Sequence, residues 1–389
     1  MTVQDVPLVD LNSPEFVRDP FPFYARLRQT APVYRQPQGS WLVTRHRDCV
    51  SVLQDNRFVN LAEDRCVPDS SEGGRAADTP QSRMRRTAAR ALAPSLMREL
   101  DPVVRRTTDA LIDAALDAGD VDVTEALGYP LGTGVFCDIF GIPAADRPTF
   151  QGWVDDLVHG VDLLVLDSPT LKARNSASRL EFFGYLWRLV GDRRRAPAGD
   201  LLSEILAIQR DHPELKDLDL ISFCITLFIA GHASTSRFIS FAVYALLRFP
   251  EQLRRLREHP ELLPSAVEEL LRHSTPMQFT SRAARTDLEL AGQTIRRGEI
   301  VACVVGSANR DPEVFAEPDG LDLARSPNPH ISFGYGHHYC LGAALSRLEG
   351  QLLLGELVRR APALRLRGEP TYRPSVWLRG IAHLPVSLR

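Results

Sequence analysis

The sequence lacks a paired-cysteine pattern, an excess of charge of either sign and a long uninterrupted apolar run. Its six cysteines are scattered over 389 residues with no Cys-x-x-Cys pair, which argues against a disulfide framework and against a four-cysteine zinc site. The formal net charge of −3 gives no sign of a nucleic-acid or membrane-surface partner. These absences favour a soluble protein of a reducing cytoplasm.

The most apolar stretch, residues 220–249, is broken in its middle by polar residues between His232 and Arg237. A membrane span requires about 18 nearly uninterrupted apolar residues, so this stretch predicts a long buried helix instead. The first residues, MTVQDVPLVDLNSPEF, are acidic and contain prolines, unlike a signal peptide. We therefore expect no membrane segment.

Apolar residues make up 44% and charged residues 24% of the chain, as in ordinary soluble proteins. Most segments carry helical spacing, and the strand-like pieces are short, as in PVYRQPQGSWLVTR and LELAGQTIRRGEIVACVV. The expected fold class is mainly α with small β-sheets (α+β), in a single domain over 1–389. The polar segment 63–80, rich in Gly, Ser and Pro, predicts a functional lid.

The stretch FGYGHHYCLGAALSRLE, residues 333–349, concentrates reactive and small residues. Leucines at 341, 345, 348 and 352 predict an amphipathic helix after Cys340. The start of that helix favours a thiolate, and the surrounding glycines let a flat group approach the backbone. From the residues alone Cys340 could be a buried thiol, a nucleophile or, with His337 and His338, part of a zinc site.

The run Phe333-Gly334-x-Gly336-x-His338-x-Cys340-x-Gly342 closely resembles the haem-binding loop of the cytochromes P-450. This resemblance covers about 19–386 and implies the triangular fold of that family, with haem b between the long central helix and the helix after the cysteine. It implies that Cys340 is the axial thiolate and metal ligand, which favours O–O cleavage. By the same resemblance Gly342 belongs to the cofactor loop and His338 contacts a haem propionate.

Other family landmarks occur in the expected order. In PSAVEELLRHSTP, Ser265 and Glu268 have capping-box spacing and predict a helix start. Glu269 and Arg272 share a helix face and either form a surface ion pair worth about 0.3 kcal/mol or, by resemblance, a structural lock behind the haem loop. The arginine that often completes this lock is replaced here by Gly320.

The resemblance also implies partners for the two haem propionates. Arg282 matches the strand arginine of the family, and Arg85 matches the arginine of a helix that usually supplies a histidine as well. Gln81 stands in the place of that histidine and adds a hydrogen-bond donor but no charge. Arg85, Arg282 and His338 are therefore the predicted cationic partners; a solvated basic face is the alternative for Arg85.

The stretch FIAGHASTS, residues 228–236, resembles the oxygen-activating helix of the family, which reads Ala-Gly-x-acid-Thr. Gly231 would leave room for dioxygen, but Ala233 replaces the acid and Ser234 the threonine that relay protons. Ser234 could bond oxygen, and its neighbours Thr235 and His232 could compensate, although on a helix their side chains point about 100° to either side. Two outcomes follow. Either the enzyme still hydroxylates its substrate, or it forms a substrate radical that couples, closes a ring or desaturates without oxygen insertion.

The resemblance further implies a haem-thiolate monooxygenase-type oxidoreductase of the EC 1.14 class that acts on a small organic, secondary-metabolite substrate. We expect a monomer without nucleic-acid or membrane partners, which receives electrons from NAD(P)H through a ferredoxin or flavodoxin and its reductase. The docking cations would be Arg105, Arg106 and Arg347. The alternatives are a non-catalytic haem sensor or ligand-binding protein and a cysteine-dependent hydrolase or zinc protein. The predicted substrate pocket is lined by Phe228, Met277, Phe279 and Trp377.

Overall fold

The computed structural model describes residues 13–60, 85, 94–162, 169–212 and 215–389. Among these residues, helices dominate and the strands are short, which confirms the predicted mainly α class with small sheets. The α-helices are α1 Pro14–Arg18, α2 Phe21–Thr30, α3 His46–Gln54, α4 Pro94–Ala118, α5 Tyr129–Ile139, α6 Arg147–Asp162, α7 Pro169–Arg195, α8 Leu201–Asp211, α9 Asp217–Arg248, α10 Pro250–Glu258, α11 Leu263–His273, α12 Val305–Ala308 and α13 Ala343–Arg360. The strands are β1 Val33–Arg35, β2 Trp41–Val43, β3 Phe58–Asn60, β4 Asp120–Asp122, β5 Phe279–Ala284, β6 Leu288–Leu290, β7 Gln293–Ile295, β8 Ile300–Val304, β9 Arg365–Leu366, β10 Thr371–Tyr372, β11 Ile381–His383 and β12 Pro385–Ser387.

The chain divides into two compact units. The described residues of the first unit are 13–60, 248–340 and 372–380, and those of the second are 85, 94–162, 169–212, 215–247, 341–371 and 381–389. The expected single domain over 1–389 stays a prediction.

The first unit is built on a five-stranded sheet with the order β1-β2-β8-β5-β3. β1 and β2 form the predicted front hairpin, with Val33 opposite Val43, and Gly39 in its turn has a φ of 97° that favours glycine. β2 pairs parallel with β8, and β8 pairs antiparallel with β5. β6 and β7 form the second predicted hairpin, with Leu288 opposite Ile295.

Helix α3 packs on this sheet because its apolar residues recur on one face. Cys49, Val52 and Leu53 are buried in the same cluster as Trp41 and Val301 of the sheet. This packing fixes the end of α3 and, with it, the carbonyl of Leu53 that the cysteine loop approaches.

The second unit is organised around the long helix α9, which confirms the buried helix predicted for 220–249. By length and apolarity alone α9 could cross a membrane, but the core helix of a soluble protein passes the same test. Its buried side chains include Ile221, Phe228 and Ala233, and they continue along the helix to Leu246. A three-stranded sheet, β4-β12-β9, completes the unit.

The predicted capping box at Ser265 is wrong. Helix α11 begins at Leu263, directly after a 3-10 turn over Pro260–Leu262, and its N-cap makes no side-chain hydrogen bond. Ser265 lies within the first turn, where its hydroxyl donates to the carbonyls of Leu262 and Leu323. The preceding turn already starts the helical geometry, so the serine is free to bond another segment.

Candidate active site

The cysteine loop is a series of tight turns in the first unit. The amide of Gly334 donates to the carbonyl of Ile331 at 2.9 Å, and the amide of Cys340 donates to the carbonyl of Phe333 at 2.9 Å. Gly334 and Gly336 have φ angles of 73° and 69°, in the left-handed region that favours glycine. A Cβ on Gly336 would lie 2.7 Å from the carbonyl oxygen of Leu53, so only glycine fits this approach to α3.

Cys340 is the one exposed cysteine among the residues that the structure describes. The other four, Cys49, Cys137, Cys224 and Cys303, are buried. Burial raises the pKa of Cys137 and of Cys224 to about 12, which keeps both as neutral thiols. Among the described cysteines, Cys340 is therefore the one that can bind a ligand.

The surroundings of Cys340 fit a large flat cofactor. A Cβ on Gly334 would meet only the carbonyl of His338, at 3.8 Å, so the surface beside the loop is open. Gly342 is the N-cap of α13, which begins at Ala343 as the leucine spacing predicts. Within the described part of the chain no three His, Cys, Asp or Glu side chains gather as a metal site, which disfavours the zinc alternative at His337, His338 and Cys340.

The predicted propionate partners differ in how far they are buried. Arg282 lies on β5 and is 4% exposed; its guanidinium donates to the hydroxyl of Thr280 and the carbonyl of Ser281. His338 ends the 3-10 turn before the cysteine and is half-buried. Arg85 is helical and half-buried, and Gln81 lies outside the described residues. Their roles toward haem stay predictions.

Glu269 and Arg272 form a fully buried ion pair, so the alternative of a surface pair is wrong. Their side chains are 0% exposed, with Arg272 Nε 2.7 Å from Glu269 Oε2 and Nη2 2.8 Å from Oε1. Arg272 also donates to the carbonyls of Asn309, Pro318 and Gly320. Both charges are thus satisfied, as burial requires.

Arg325 completes this group in place of an arginine at the position of Gly320. Its Nε lies 3.1 and 3.0 Å from the two carboxylate oxygens of Glu269. The amide of Asp322 and the side-chain amide of Asn328 donate to the same carboxylate. We call Glu269, Arg272 and Arg325 the buried charge cluster.

Gly231 of α9 lies against α5. A Cβ at this position would overlap the ring of Phe136 on α5. The glycine lets α5 and α9 approach closely, because the Cα–Cβ direction at 231 points toward α5. The room for dioxygen expected at Gly231 stays a prediction.

We expect Gly231→Ala to lower the free energy of unfolding by about 1–3 kcal/mol through overpacking. Gly184→Ala on α7 is the matched control, because its Cβ would meet only Arg188, at 3.9 Å, and it should be neutral or slightly stabilising. Thermal unfolding of both variants measures the difference. Equal melting temperatures would contradict the packing role of Gly231.

The next residues of α9 carry the departures from the family pattern. Ala233 is 0% exposed. The hydroxyl of Ser234 donates to the carbonyl of Ala230 at 2.6 Å, so its proton is used within the helix while its oxygen can still accept. His232 is buried, its ring lies tilted beside that of Tyr129, and it forms a hydrogen bond with the hydroxyl of Thr133.

Thr235 points toward α13 and meets an acid that the sequence analysis missed. Its Oγ1 donates to Oε2 of Glu349 at 3.0 Å and lies 3.5 Å from the hydroxyl of Ser346. Glu349 is 2% exposed, and burial raises its pKa to about 8, although the hydrogen bond from Thr235 lowers it. The sequence did contain a sign that Glu349 is buried. Glu349 lies four residues after Leu345, on the apolar face of the predicted helix.

The predicted pocket residues fall into two groups. Phe228 is 2% exposed inside a cluster of aromatic rings in the second unit, and its place in the substrate pocket stays a prediction. Phe279 is likewise buried and contacts Tyr24. Met277 lies opposite Leu378 in an isolated bridge and the amide of Gln278 donates to the carbonyl of Trp377, so these two predicted segments do meet. The rings around Phe228 are Phe136, Phe140, Phe150 and Phe182.

The predicted docking cations all belong to the second unit. Arg105 is exposed and pairs with Asp101 at 2.6 Å on α4. Arg106 is exposed and Arg347 is half-buried. The predicted lid, 63–80, lies outside the described residues.

Comparisons with known proteins agree with this site. The family model for Cytochrome P450 matches residues 83–361. The chain is 35% identical to the biotin biosynthesis cytochrome P450 of Bacillus subtilis (strain 168), over 96% of this chain and 98% of that protein. The crystal structure of P450BioI, in complex with an acyl carrier protein ligated to hexadec-9Z-enoic acid, matches with a TM-score of 0.88 and 34% identity, over 96% and 99% of the two chains. The cytochrome P450 CxnD, for C-S bond formation in chuangxinmycin biosynthesis, matches with a TM-score of 0.85 and 33% identity, over 96% of each chain.

The exposed Cys340 on its glycine loop, together with these comparisons, defines a haem-thiolate type of site. The chain belongs to the cytochrome P450 family. It therefore has the α+β fold of that family, and its cofactor is haem with a cysteine thiolate ligand. It is an oxidoreductase with small-molecule substrates and redox partners.

Proposed function

We propose that this protein activates dioxygen to oxidise a small organic substrate of secondary metabolism, with Cys340 as the axial haem ligand. The exposure of Cys340 on its glycine loop is the observation that carries this proposal. Haem with a thiolate ligand supplies reductive activation of dioxygen and cleavage of the O–O bond. The reaction class is that of a monooxygenase (EC 1.14).

The chain's own residues would hold the cofactor by charge and shape. Arg85, Arg282 and His338 are the proposed propionate partners, because two carboxylates near a protein surface require charge-assisted donors. Gln81 would add a neutral donor. Gly334 and Gly342 keep side chains away from the face beside Cys340.

The proposed substrate contacts are the two neighbouring segments around Met277 and Trp377. Met277 is half-buried, and Trp377 packs at the edge of an apolar cluster that includes Phe279. Such partly exposed apolar side chains can cover an organic substrate without breaking the core.

Electrons would come from NAD(P)H through a ferredoxin or flavodoxin and its reductase. The exposed cations Arg105 and Arg106, with Arg347, are the proposed docking residues, since acidic carriers are attracted to basic surfaces. We propose that the protein works as a cytoplasmic monomer.

The outcome of the oxidation is either oxygen insertion or coupling. Coupling, ring closure or desaturation is favoured by the alanine at 233 and by the likeness to a relative that forms C–S bonds. Hydroxylation requires that a proton reach oxygen by another route. A non-catalytic haem sensor is the alternative of a different class, and reductant-dependent turnover separates it from an enzyme.

Turnover under isotopically labelled dioxygen is expected to give a product without label if coupling is correct. Substrates are first selected by the spin shift that they induce in the haem spectrum, and the product mass is then measured. Incorporation of one labelled oxygen atom per turnover would refute coupling and establish hydroxylation. Spin shifts without any turnover would favour the sensor.

A further inference from the structure

We propose that His330 is a positioning residue for Cys340, which it reaches through a chain of hydrogen bonds that crosses two peptide groups. The proposal rests on the proposed function, in which Cys340 is the haem ligand. The side chain of His330 is 3% exposed. It contacts Glu268 of α11 with one ring nitrogen and the backbone of Ser332 with the other.

The chain of hydrogen bonds begins at the cysteine itself. The amide of Cys340 donates to the carbonyl of Phe333 at 2.9 Å. That carbonyl shares a planar peptide group with the amide of Gly334, which donates to the carbonyl of Ile331 at 2.9 Å. The backbone of Cys340 is therefore tied, through one rigid peptide group, to the carbonyl of Ile331.

His330 holds the far end of this chain. The carbonyl of Ile331 shares its peptide plane with the amide of Ser332, which donates to Nδ1 of His330 at 3.3 Å. On the other side of the ring, Nε2 lies 3.1 Å from Oε2 of Glu268. A carboxylate only accepts, so Nε2 carries the ring proton and Nδ1 is the acceptor. Every donor thus points the same way, from Cys340 toward Glu268, and aligned hydrogen bonds polarise one another.

The segment that carries His330 is held against α11 by alternate side chains. Asn328, His330 and Ser332 each form a hydrogen bond with this helix. Their partners are Glu269, Glu268 and the carbonyl of Leu271, respectively. Ile331, between two of them, is instead buried in the apolar cluster of the five-stranded sheet. Side chains two residues apart share a face of an extended chain, so this alternation fixes which peptide groups turn toward the cysteine loop.

Packing alone does not account for a histidine at this position. The ring does pack, with its centroid 6.1 Å from that of Phe333. A phenylalanine would fill similar space, but it could neither accept from Ser332 nor donate to Glu268. The two hydrogen bonds set the direction of the peptide groups that end at Cys340. Hydrogen bonds and dipoles around a thiolate ligand tune the reduction potential of its metal, so His330 acts on Cys340 without touching it.

Two variants separate the two hydrogen bonds of the ring. His330→Asn places an amide oxygen close to the position of Nδ1, where it can accept from Ser332, but its side chain is too short to reach Glu268. His330→Gln can place its NH₂ group near the position of Nε2 and donate to Glu268, but it leaves the amide of Ser332 without its acceptor. We expect His330→Asn to keep the position of Cys340 and His330→Gln to lose it.

The ferrous carbon monoxide complex of the full-length, haem-loaded protein reports the state of Cys340. Its thiolate-type Soret band converts to the band of a neutral thiol ligand at a rate that is measured at one fixed temperature. This rate should rise about twofold to tenfold in His330→Gln, the factor that one lost hydrogen bond corresponds to, and stay within about twofold of wild type in His330→Asn. The reduction potential should shift in His330→Gln and return most of the way in His330→Asn. Circular dichroism and thermal unfolding confirm that each variant is folded.

His259→Gln is the matched control. His259 lies 3.1 Å from Glu261, the same distance as in the buried pair, but these side chains are 56% and 69% exposed. This variant should leave the conversion rate and the reduction potential unchanged. Wild-type behaviour in His330→Gln, or equal losses in His330→Gln and His330→Asn, would overturn the hydrogen-bond chain to Cys340.

A second measurement does not depend on the thiolate band. Nitrogen NMR of isotope-labelled histidine rings in the same protein, with His330→Asn to assign the signal, should show His330 as the neutral tautomer protonated at Nε2. A ring protonated at Nδ1 would overturn the proposal, because it could not accept from Ser332. A wild-type protein without any thiolate-type band would instead contradict the proposed function, and the tautomer would still report whether His330 holds Ser332.

Discussion

Cys340→Ser should abolish the thiolate-type Soret band of the reduced carbon monoxide complex and reduce turnover to background. A serine hydroxyl stays neutral near pH 7 and donates far less electron density to iron than a thiolate. The electron donation that favours O–O cleavage is therefore lost. The loop itself should persist, because its turns are made by glycines and by the backbone bond from Cys340 to Phe333. Absorption spectra with carbon monoxide and dithionite measure the band.

Cys224→Ala is the matched control, since Cys224 is buried on α9 and its thiol stays neutral. This variant should keep the band and lose only packing energy. A thiolate-type band that survives in Cys340→Ser, or disappears in Cys224→Ala, would contradict the assignment of Cys340. Absence of haem from the wild-type protein would contradict it as well.

Glu269→Ala should lower the free energy of unfolding by about 3–5 kcal/mol, the cost of breaking a buried ion pair by removing one partner. The carboxylate accepts from Arg272, Arg325, Asn328 and the amide of Asp322. Its removal leaves two arginines in the interior with no carboxylate beside them. Urea unfolding of the haem-loaded protein, compared at equal m-values, measures the loss.

The exposed pair Arg296–Asp287, 2.7 Å apart with side chains 66% and 55% exposed, gives the control. Asp287→Ala should change stability by less than about 1 kcal/mol, because solvent already screens that pair. Glu269→Gln should lose an amount of unfolding free energy between these two values. The amide oxygen of glutamine still accepts a hydrogen bond, but the amide NH₂ group faces the arginine cations. If Glu269→Ala behaves like Asp287→Ala, the buried charge cluster does not stabilise the first unit.

Local sequence patterns predicted what depends on neighbours along the chain. The leucine spacing placed a helix after Cys340, and the observed α13 begins at Ala343. The three-residue spacing paired Glu269 with Arg272, because residues three apart share a helix face. The front hairpin followed from two short strand-like runs separated by polar residues and a glycine.

The same local reasoning failed where a distant segment decides the environment. The capping-box spacing at Ser265 was present, but a preceding turn started the helix earlier. The sequence also did not indicate that Gly231 packs against the ring of Phe136, about a hundred residues earlier in the chain. Spacing along one helix cannot reveal which side chain of another helix packs against it.

By itself, therefore, the sequence determined the class of this protein, because the glycines, the cysteine and the helix start of the haem loop are contiguous and their geometry is local. Only the tertiary structure decided that Arg325 completes the buried charge cluster and that Thr235 meets Glu349. Burial and ion pairing join residues far apart in the chain, and the low dielectric of the interior then sets their charge states. The raised pKa of Glu349 is likewise a property of the packed helices and not of any motif.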